Sequence, residues 1–282
     1  MNAVSIGEGG LEVRLSVPGT FYRGTRFDWA GVFDAVVFRG VNLTDRWFER
    51  YEPTMHDAVC GPAEEFTPIG YGERETFLKI GVGRLCSDGN PYDRFRLYPV
   101  ADAGIREMEE SARTVRFRHV MPEYDYRKSV EVLSENAFCI RHRLDAAVDL
   151  KGQMYNHNFF TLGRFRMDGN RRLSFPFRPS GHWRSAYDSV ALRENGIRFS
   201  RPLEKGESVF MGDLRPADTP GMPYGFRLDD AETGFAVDVR GDRPLSHMVF
   251  WANHRIACPE PYVDFHAGPD RPFELTISYF FQ

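Results

Sequence analysis

Residues 114–144 read TVRFRHVMPEYDYRKSVEVLSENAFCIRHRL, and this stretch decides the fold class. Apolar and aromatic residues alternate with polar ones over Thr114–His119, Ser129–Leu133 and Phe138–Leu144, which is the period of a strand with one buried face. Ser134-Glu135-Asn136 is a short, turn-forming connection between the second and third segments. Strands joined by so short a turn pair antiparallel. The stretch therefore predicts three consecutive strands, of which the last two form a hairpin.

The same alternation recurs in Leu11–Val17, Thr76–Val82 and Phe273–Phe280, which are also predicted as strands. Nothing in the chain alternates strand and helix patterns as a parallel sheet requires. We therefore predict an all-β protein that forms one domain over residues 1–282. Four segments rich in Pro, Gly, aromatic and charged residues are predicted as loops that carry the functional site: Gly19–Asp28, Tyr51–Gly72, Pro216–Pro223 and Ala257–Asp270.

Composition excludes several classes of protein. Lys and Arg number 36 against 40 Asp and Glu, so the net charge of -4 gives no positive field for nucleic acid. No run approaches the roughly 18 apolar residues of a membrane span, and the opening residues lack a signal-peptide pattern, so a cytoplasmic protein with no membrane partner is expected. The four cysteines form no C-x-x-C pair, which favours buried free thiols and no metal site.

Two segments carry chemistry-bearing residues in unusual settings. Tyr155-Asn156-His157-Asn158-Phe159 places a histidine in an aromatic strand, with an amide on each side of it. Both ring nitrogens of a buried histidine need partners, so this is an unusual core residue. Glu260 stands between Pro259 and Pro261, which is expected to hold it in an irregular, non-helical segment. A histidine and a carboxylate that meet from different strands could supply the acid and the base for proton transfer.

These two segments resemble a known family. The run Asn156-His157-Asn158-Phe159-Phe160-Thr161-Leu162 is similar to the N-H-x-Y-F-N-L signature of galactose mutarotase (aldose 1-epimerase), with Phe159 for its Tyr and Thr161 for its second Asn. Ala257-Cys258-Pro259-Glu260-Pro261 resembles the family's segment around the catalytic glutamate, without the Gln that usually follows. The family's earlier histidine, in a Leu-His-Gly-Gly context, has no counterpart run here. The chain thus resembles a divergent branch of the mutarotase-like superfamily.

The resemblance implies a large antiparallel β-sandwich of the galactose mutarotase-like (supersandwich) type. It implies an isomerase that interconverts sugar anomers by opening the ring, with His157 as general acid and Glu260 as general base. The implied partner is a monosaccharide or sugar derivative, no cofactor is needed, and a monomer or homodimer is expected. The role of the missing early histidine is open between His56, Lys79 and no residue at all.

Residues around this pair are predicted to bind the sugar. Arginine forks donate to hydroxyl groups and aromatic faces cover C–H surfaces, which is why the Tyr22–Trp29 segment suits a sugar site. Of the adjacent Glu64 and Glu65 only one can face a given cleft, and Glu65 is the prediction. The predicted substrate-binding residues are Arg23, Arg26, Asp28, Glu65, Lys79, Tyr155, Asn156, Asp213 and Trp251.

Two other functions stay open on the sequence. The same acid and base could serve an epimerase or a lyase acting on a uronic acid, a keto-sugar or a sugar phosphate, with Arg23 or Arg26 clamping the carboxylate or phosphate. A non-catalytic sugar-binding or sensor protein could also use this scaffold, because a fold does not fix a function.

Overall fold

The computed structural model describes residues 3–48, 50–72 and 74–282 of the chain. Within these ranges it contains strands and turns and no helix. No helix of the described chain is long and apolar enough to cross a membrane. The strands of the described residues are β1 (Ala3–Glu8), β2 (Leu11–Ser16), β3 (Val32–Phe38), β4 (Val41–Asn42), β5 (Ala63–Phe66), β6 (Thr76–Lys79), β7 (Gly83–Cys86), β8 (Val100–Asp102), β9 (Ile105–Glu110), β10 (Thr114–Met121), β11 (Tyr124–Ser134), β12 (Ala137–Ala146), β13 (Leu150–His157), β14 (Arg171–Ser174), β15 (Pro179–Trp183), β16 (Val190–Arg193), β17 (Gly196–Phe199), β18 (Ser208–Pro216), β19 (Pro223–Asp230), β20 (Ala236–Pro244), β21 (His247–Asn253), β22 (Ala257–Ala267) and β23 (Phe273–Phe281).

Two large antiparallel sheets dominate the architecture. A ten-stranded sheet has the order β16-β17-β14-β19-β20-β23-β12-β11-β10-β9, and a six-stranded sheet has the order β15-β18-β21-β22-β13-β5. Smaller sheets of β1-β2-β3-β4 and β6-β7-β8 complete the fold. The predicted hairpin is confirmed, because β11 and β12 pair antiparallel from Tyr124↔Ala146 to Ser134↔Ala137, and β10 pairs with β11.

The main hydrophobic core lies between the two large sheets. Phe66 of β5 packs edge-on against Tyr126 of β11 with ring centroids 5.4 Å apart, and Phe265 of β22 packs against Phe273 of β23 at 5.8 Å. Each of these side chains is at most 5% exposed. Burying a side chain of this size contributes about 1.5–3 kcal/mol, so residues from both sheets hold the layers together. The predicted all-β antiparallel sandwich is confirmed.

The prediction that Ala257–Asp270 is an irregular loop is wrong, because most of it forms β22. This strand pairs with β21 over its first half and with β13 over its second half. The N–H of Ala257 donates to the carbonyl of Phe160, on the side away from β21. By strand alternation, an N–H at residue 259 or 261 would point to the same side as the N–H of Ala257. Proline has no N–H, and on that side β22 pairs with no strand at these two positions. The prolines therefore cost no ladder hydrogen bond.

Candidate active site

A pocket of about 310 Å³ opens on the six-stranded sheet. Its lining combines aromatic rings, arginines, and one histidine with two carboxylates, namely Arg26, Trp47, Asp57, Arg94, Phe95, His157, Phe159, Arg184, Phe210, Val249, Trp251, Glu260 and Tyr262. A larger groove of about 700 Å³ lies on the ten-stranded sheet. Several of its arginines, such as Arg118, Arg141 and Arg143, are already paired with surface carboxylates. The smaller pocket therefore has the composition of a ligand site, since it combines apolar walls with a few convergent polar groups.

Strand register brings His157 and Glu260 together at the floor of this pocket. Tyr155 of β13 pairs with Tyr262 of β22, and their rings stack with centroids 4.2 Å apart. His157 lies two residues after Tyr155 and Glu260 two residues before Tyr262, so strand alternation puts both side chains on the same face, just beyond the last pair of this ladder. Nε2 of His157 is 3.2 Å from Oε1 of Glu260. Both side chains are about 5% exposed, so the pair is buried yet lines the pocket.

Burial shifts the two groups in opposite directions. It raises the pKa of Glu260 to about 8, although Arg26 and Arg94 act to lower that pKa. It lowers the pKa of His157 to about 3, and the charge of Arg26 lowers it further. At neutral pH the pair therefore holds one titratable proton, and both shifts favour its position on the carboxyl group of Glu260 over the imidazole. Such a pair presents one acid and one base side by side.

A network of buried charges fixes Arg26 beside the pair. Nε of Arg26 donates to Glu65 at 2.8 Å, Nη2 donates to the hydroxyl of Tyr155 at 2.7 Å, and Nη1 is paired with Asp57. Nζ of Lys79 donates to the other oxygen of Glu65 at 2.9 Å. Although burial opposes it, the charges of Lys79 and Arg26 hold the pKa of Glu65 well below its ordinary value. A buried carboxylate with two cationic partners is a rigid anchor, because removing either partner leaves an uncompensated charge.

The predicted site residues fall into three groups in the structure. His157, Glu260, Arg26 and Trp251 line the pocket. Tyr155, Glu65 and Lys79 lie behind it in the charge network. The other four do not line it: Arg23, Asp28, Asn156 and Asp213.

Those four residues have other surroundings. Asn156 donates to Glu64 at 3.0 Å, and Asp28 accepts from Tyr126 at 3.0 Å, so both belong to a separate buried network. Arg23 is exposed. Asp213 is also exposed and pairs with Arg215 at 2.7 Å. None of these four side chains is therefore placed to contact a sugar bound in this pocket.

Neither candidate for the missing early histidine contacts the His157–Glu260 pair. Nδ1 of His56 lies 2.9 Å from Asp57, and its ring packs beside Phe95 at a centroid distance of 4.8 Å. Lys79 is held by Glu65, by the carbonyl of Phe66 at 2.6 Å and by Tyr92. His56 therefore supports the pocket wall through Asp57, and Lys79 supports the floor through Glu65.

Several pocket residues were missed at the level of sequence. Cys258, Glu260 and Tyr262 share one face of β22 by simple alternation, so Tyr262 could have been found once the strand was recognised. Asp57, Arg94 and Phe95 lie on connections between strands, where no periodicity marks which side chains turn inward. Arg184 directly follows β15 and has no distinguishing motif.

Among the described residues, one group of side chains could hold a metal ion: His157, Cys258 and Glu260. One nitrogen, one sulfur and one oxygen lie within 4.8 Å of one another, and all three residues are buried. This donor set is one that zinc can use. However, burial and the charge of Glu260 raise the pKa of the Cys258 thiol well above its usual value. The nearby guanidinium of Arg26 also opposes a second cation, so the group fits proton transfer better than metal binding.

Solved structures of mutarotase-like proteins share the fold of this chain. A galactose mutarotase related enzyme from Lactobacillus acidophilus aligns with a TM-score of 0.59 at 12% sequence identity, over 99% of this chain and 97% of its own. An aldose epimerase homologue from C. elegans aligns with a TM-score of 0.59 at 13% identity, over 99% of each chain. A galactose mutarotase-like protein from Clostridium acetobutylicum gives 0.57 at 11% identity, over 99% of this chain and 95% of its own. No protein-family model and no curated protein matches the sequence.

Proposed function

Because this chain has the galactose mutarotase-like fold, we propose that it is an isomerase of the aldose 1-epimerase type, which interconverts sugar anomers by acid/base ring opening. The observation that carries the proposal is the His157–Glu260 pair, with Nε2 and Oε1 3.2 Å apart at the floor of an aromatic pocket. Anomer exchange needs one group that takes a proton and one that gives a proton at the same hemiacetal. This pair supplies both.

The pocket walls suit a monosaccharide. Trp47 and Trp251 meet edge to face with centroids 5.9 Å apart, and Phe95 and Phe210 also line the space. Aromatic faces cover the C–H surfaces of a sugar while the polar floor reaches its oxygen atoms. A volume of about 310 Å³ lies at the lower end of the range for small-molecule sites.

The single proton of the pair sets the direction of the first step. Neutral His157 takes the proton of the anomeric hydroxyl O1, and the carboxyl group of Glu260 gives its proton to the ring oxygen O5. The C1–O5 bond breaks, and the free aldehyde and an imidazolium–carboxylate pair remain. Rotation about C1–C2 followed by the reverse transfers closes the ring as the other anomer and restores the pair. The resemblance implies the opposite resting assignment, with Glu260 as the base.

The proposal is tested by measuring anomer exchange with saturation-transfer NMR across neutral, acidic and phosphorylated aldoses. We expect the protein to accelerate exchange of at least one sugar above the rate in buffer. If sugar resonances shift on binding while no exchange is accelerated, the chain is a sugar-binding protein and the isomerase proposal fails. If a new ultraviolet chromophore appears with a uronic acid, the pair performs elimination instead.

The pH profile distinguishes the two proton assignments. The pKa of Glu260 is raised to about 8, so this group is protonated below that pH and loses its proton above it. If Glu260 is the resting acid, kcat/KM for exchange, measured well below saturating sugar, falls as pH rises through about 8. If Glu260 is the base, exchange rises over the same window. We expect the fall, measured from about pH 6 to about pH 10 after subtracting the rate in buffer.

A further inference from the structure

Arg184 is a cation at the pocket with no carboxylate partner. Its guanidinium lies over the ring of Phe210, with its central carbon 3.7 Å from the ring centroid. Among residues 3–48, 50–72 and 74–282, no ion pair or side-chain hydrogen bond involves this guanidinium. A guanidinium stacked in this way keeps its edge donors available for a ligand, because stacking uses only its face.

Arg94 is a second pocket arginine with unused donors. Its Nη1 donates to the hydroxyls of Tyr155 and Tyr262, both at 3.2 Å, and lies 4.0 Å from Glu65. These contacts involve one nitrogen of the fork. Arg94 lines a pocket whose two carboxyl groups are already engaged, Asp57 by Arg26 and Glu260 by His157. The pocket therefore has more cationic donors than its own carboxylates satisfy.

Strand order places Arg184 at the far end of the pocket from the acid/base pair. The backbone N–H of Arg184 donates to the carbonyl of Phe210 in β18, Phe210 pairs with Trp251 in β21, and Trp251 pairs with Cys258 in β22. Three strand spacings of about 4.8 Å separate the two backbones by about 14 Å. Because the guanidinium of Arg184 lies over Phe210 in the neighbouring strand, about two of these spacings, or roughly 10 Å, remain between it and β22, which leaves room for a monosaccharide.

We propose that the substrate is an aldose with an anionic group, such as the carboxylate of a hexuronic acid, at the end remote from C1, and that Arg184 binds this group. This inference rests on the proposed function for the placement of C1 at His157 and Glu260. Arg94 reaches the same ligand from the Tyr155–Tyr262 side. Charge-assisted hydrogen bonds from arginine to a carboxylate are among the strongest polar contacts, so they would set specificity.

The test compares D-glucuronate with D-glucose, using the wild type, Arg184→Gln and a control, Arg240→Gln. Arg240 is likewise an exposed arginine stacked on an aromatic ring, Phe280, but it lies on the ten-stranded sheet. NMR titration gives affinity and saturation transfer gives exchange. We expect glucuronate to bind more tightly than glucose, and Arg184→Gln to reduce that preference by about 10-fold to 100-fold. Arg240→Gln should leave the preference unchanged.

Further arms separate the possible failures. Tighter binding of glucose 6-phosphate than of glucuronate, again lost in Arg184→Gln, supports the anionic subsite and identifies phosphate as the source of the charge. An Arg184-dependent preference for anionic sugars without accelerated exchange supports the subsite while the isomerase proposal fails. Equal affinity for neutral and anionic sugars, or equal behaviour of Arg184→Gln and Arg240→Gln, overturns the inference.

Discussion

Glu260→Gln is expected to reduce anomer exchange by about 10²–10⁴-fold, the usual contribution of a placed acid or base. Glutamine keeps the size of the side chain and its contact with His157, which is 3.2 Å from the carboxylate, but it can neither gain nor lose a proton at neutral pH. The loss should appear in kcat, because the proton moves only during ring opening. His157→Asn should reduce kcat by a similar factor, since each group depends on the other. Saturation-transfer NMR with the sugar that the wild type accelerates measures both.

Asp264→Asn is the matched control for this prediction. Asp264 lies four residues further along β22, is exposed and does not line the pocket. Exchange by this variant should equal that of the wild type. Full activity in Glu260→Gln, with sugar binding retained, would show that the pair carries no proton in the reaction. Loss of sugar binding together with exchange would instead point to a role in holding the ligand.

The sequence predicts those parts of the fold that depend on neighbouring residues. Alternation and a short turn identify β11, β12 and their pairing, because a hairpin is a local structure. The same local information misplaces Glu260, since Pro259 and Pro261 indicate a break in a strand. Only the strand order shows that their missing N–H groups face a side without a ladder partner.

The candidate site is predictable only in part for the same reason. Its reactive pair comes from adjacent strands and is carried by two recognisable segments, so His157 and Glu260 could be proposed together. The partners of Arg26 are Asp57, Glu65 and Tyr155, which lie up to 129 positions away along the chain. No spacing rule connects these residues, and their contacts arise from strand pairing and loop packing. The same holds for Arg94 and Arg184, which line the pocket and which we propose bind the anionic group of the substrate.

The second buried charge network lies between the sheets and depends on Lys128 of β11. Nζ of Lys128 donates to the carboxylate of Glu64 and to the carbonyl of Ala30 at 2.7 Å, and it is 3.9 Å from Asp28. Lys128 and both carboxylates are at most 3% exposed. Burial raises the pKa of Glu64 to about 7, against the effect of Lys128. Lys128 thus compensates carboxylates that water cannot reach.

Lys128→Met is expected to lower the free energy of unfolding by about 3–5 kcal/mol at high pH, because it leaves a buried carboxylate without its cation. The pKa of Glu64 in the folded wild type is above its unfolded value, so folding loses stability as pH rises from about 4.5 to about 7 and then levels off. Without Lys128 the pKa of Glu64 in the folded protein rises further, so the free energy of unfolding continues to fall at higher pH. Denaturant midpoints at about pH 6 and about pH 9 should therefore differ more for Lys128→Met than for the wild type.

Lys151→Met, at an exposed lysine of β13, is the control and should match the wild type at both pH values. Lys128→Met combined with Glu64→Gln should recover much of the loss, because Glu64 then carries no charge and Asp28 keeps its hydrogen bonds from the N–H of Ala30 and the hydroxyl of Tyr126. If Lys128→Met alone is as stable as the wild type at pH 9, water compensates Glu64.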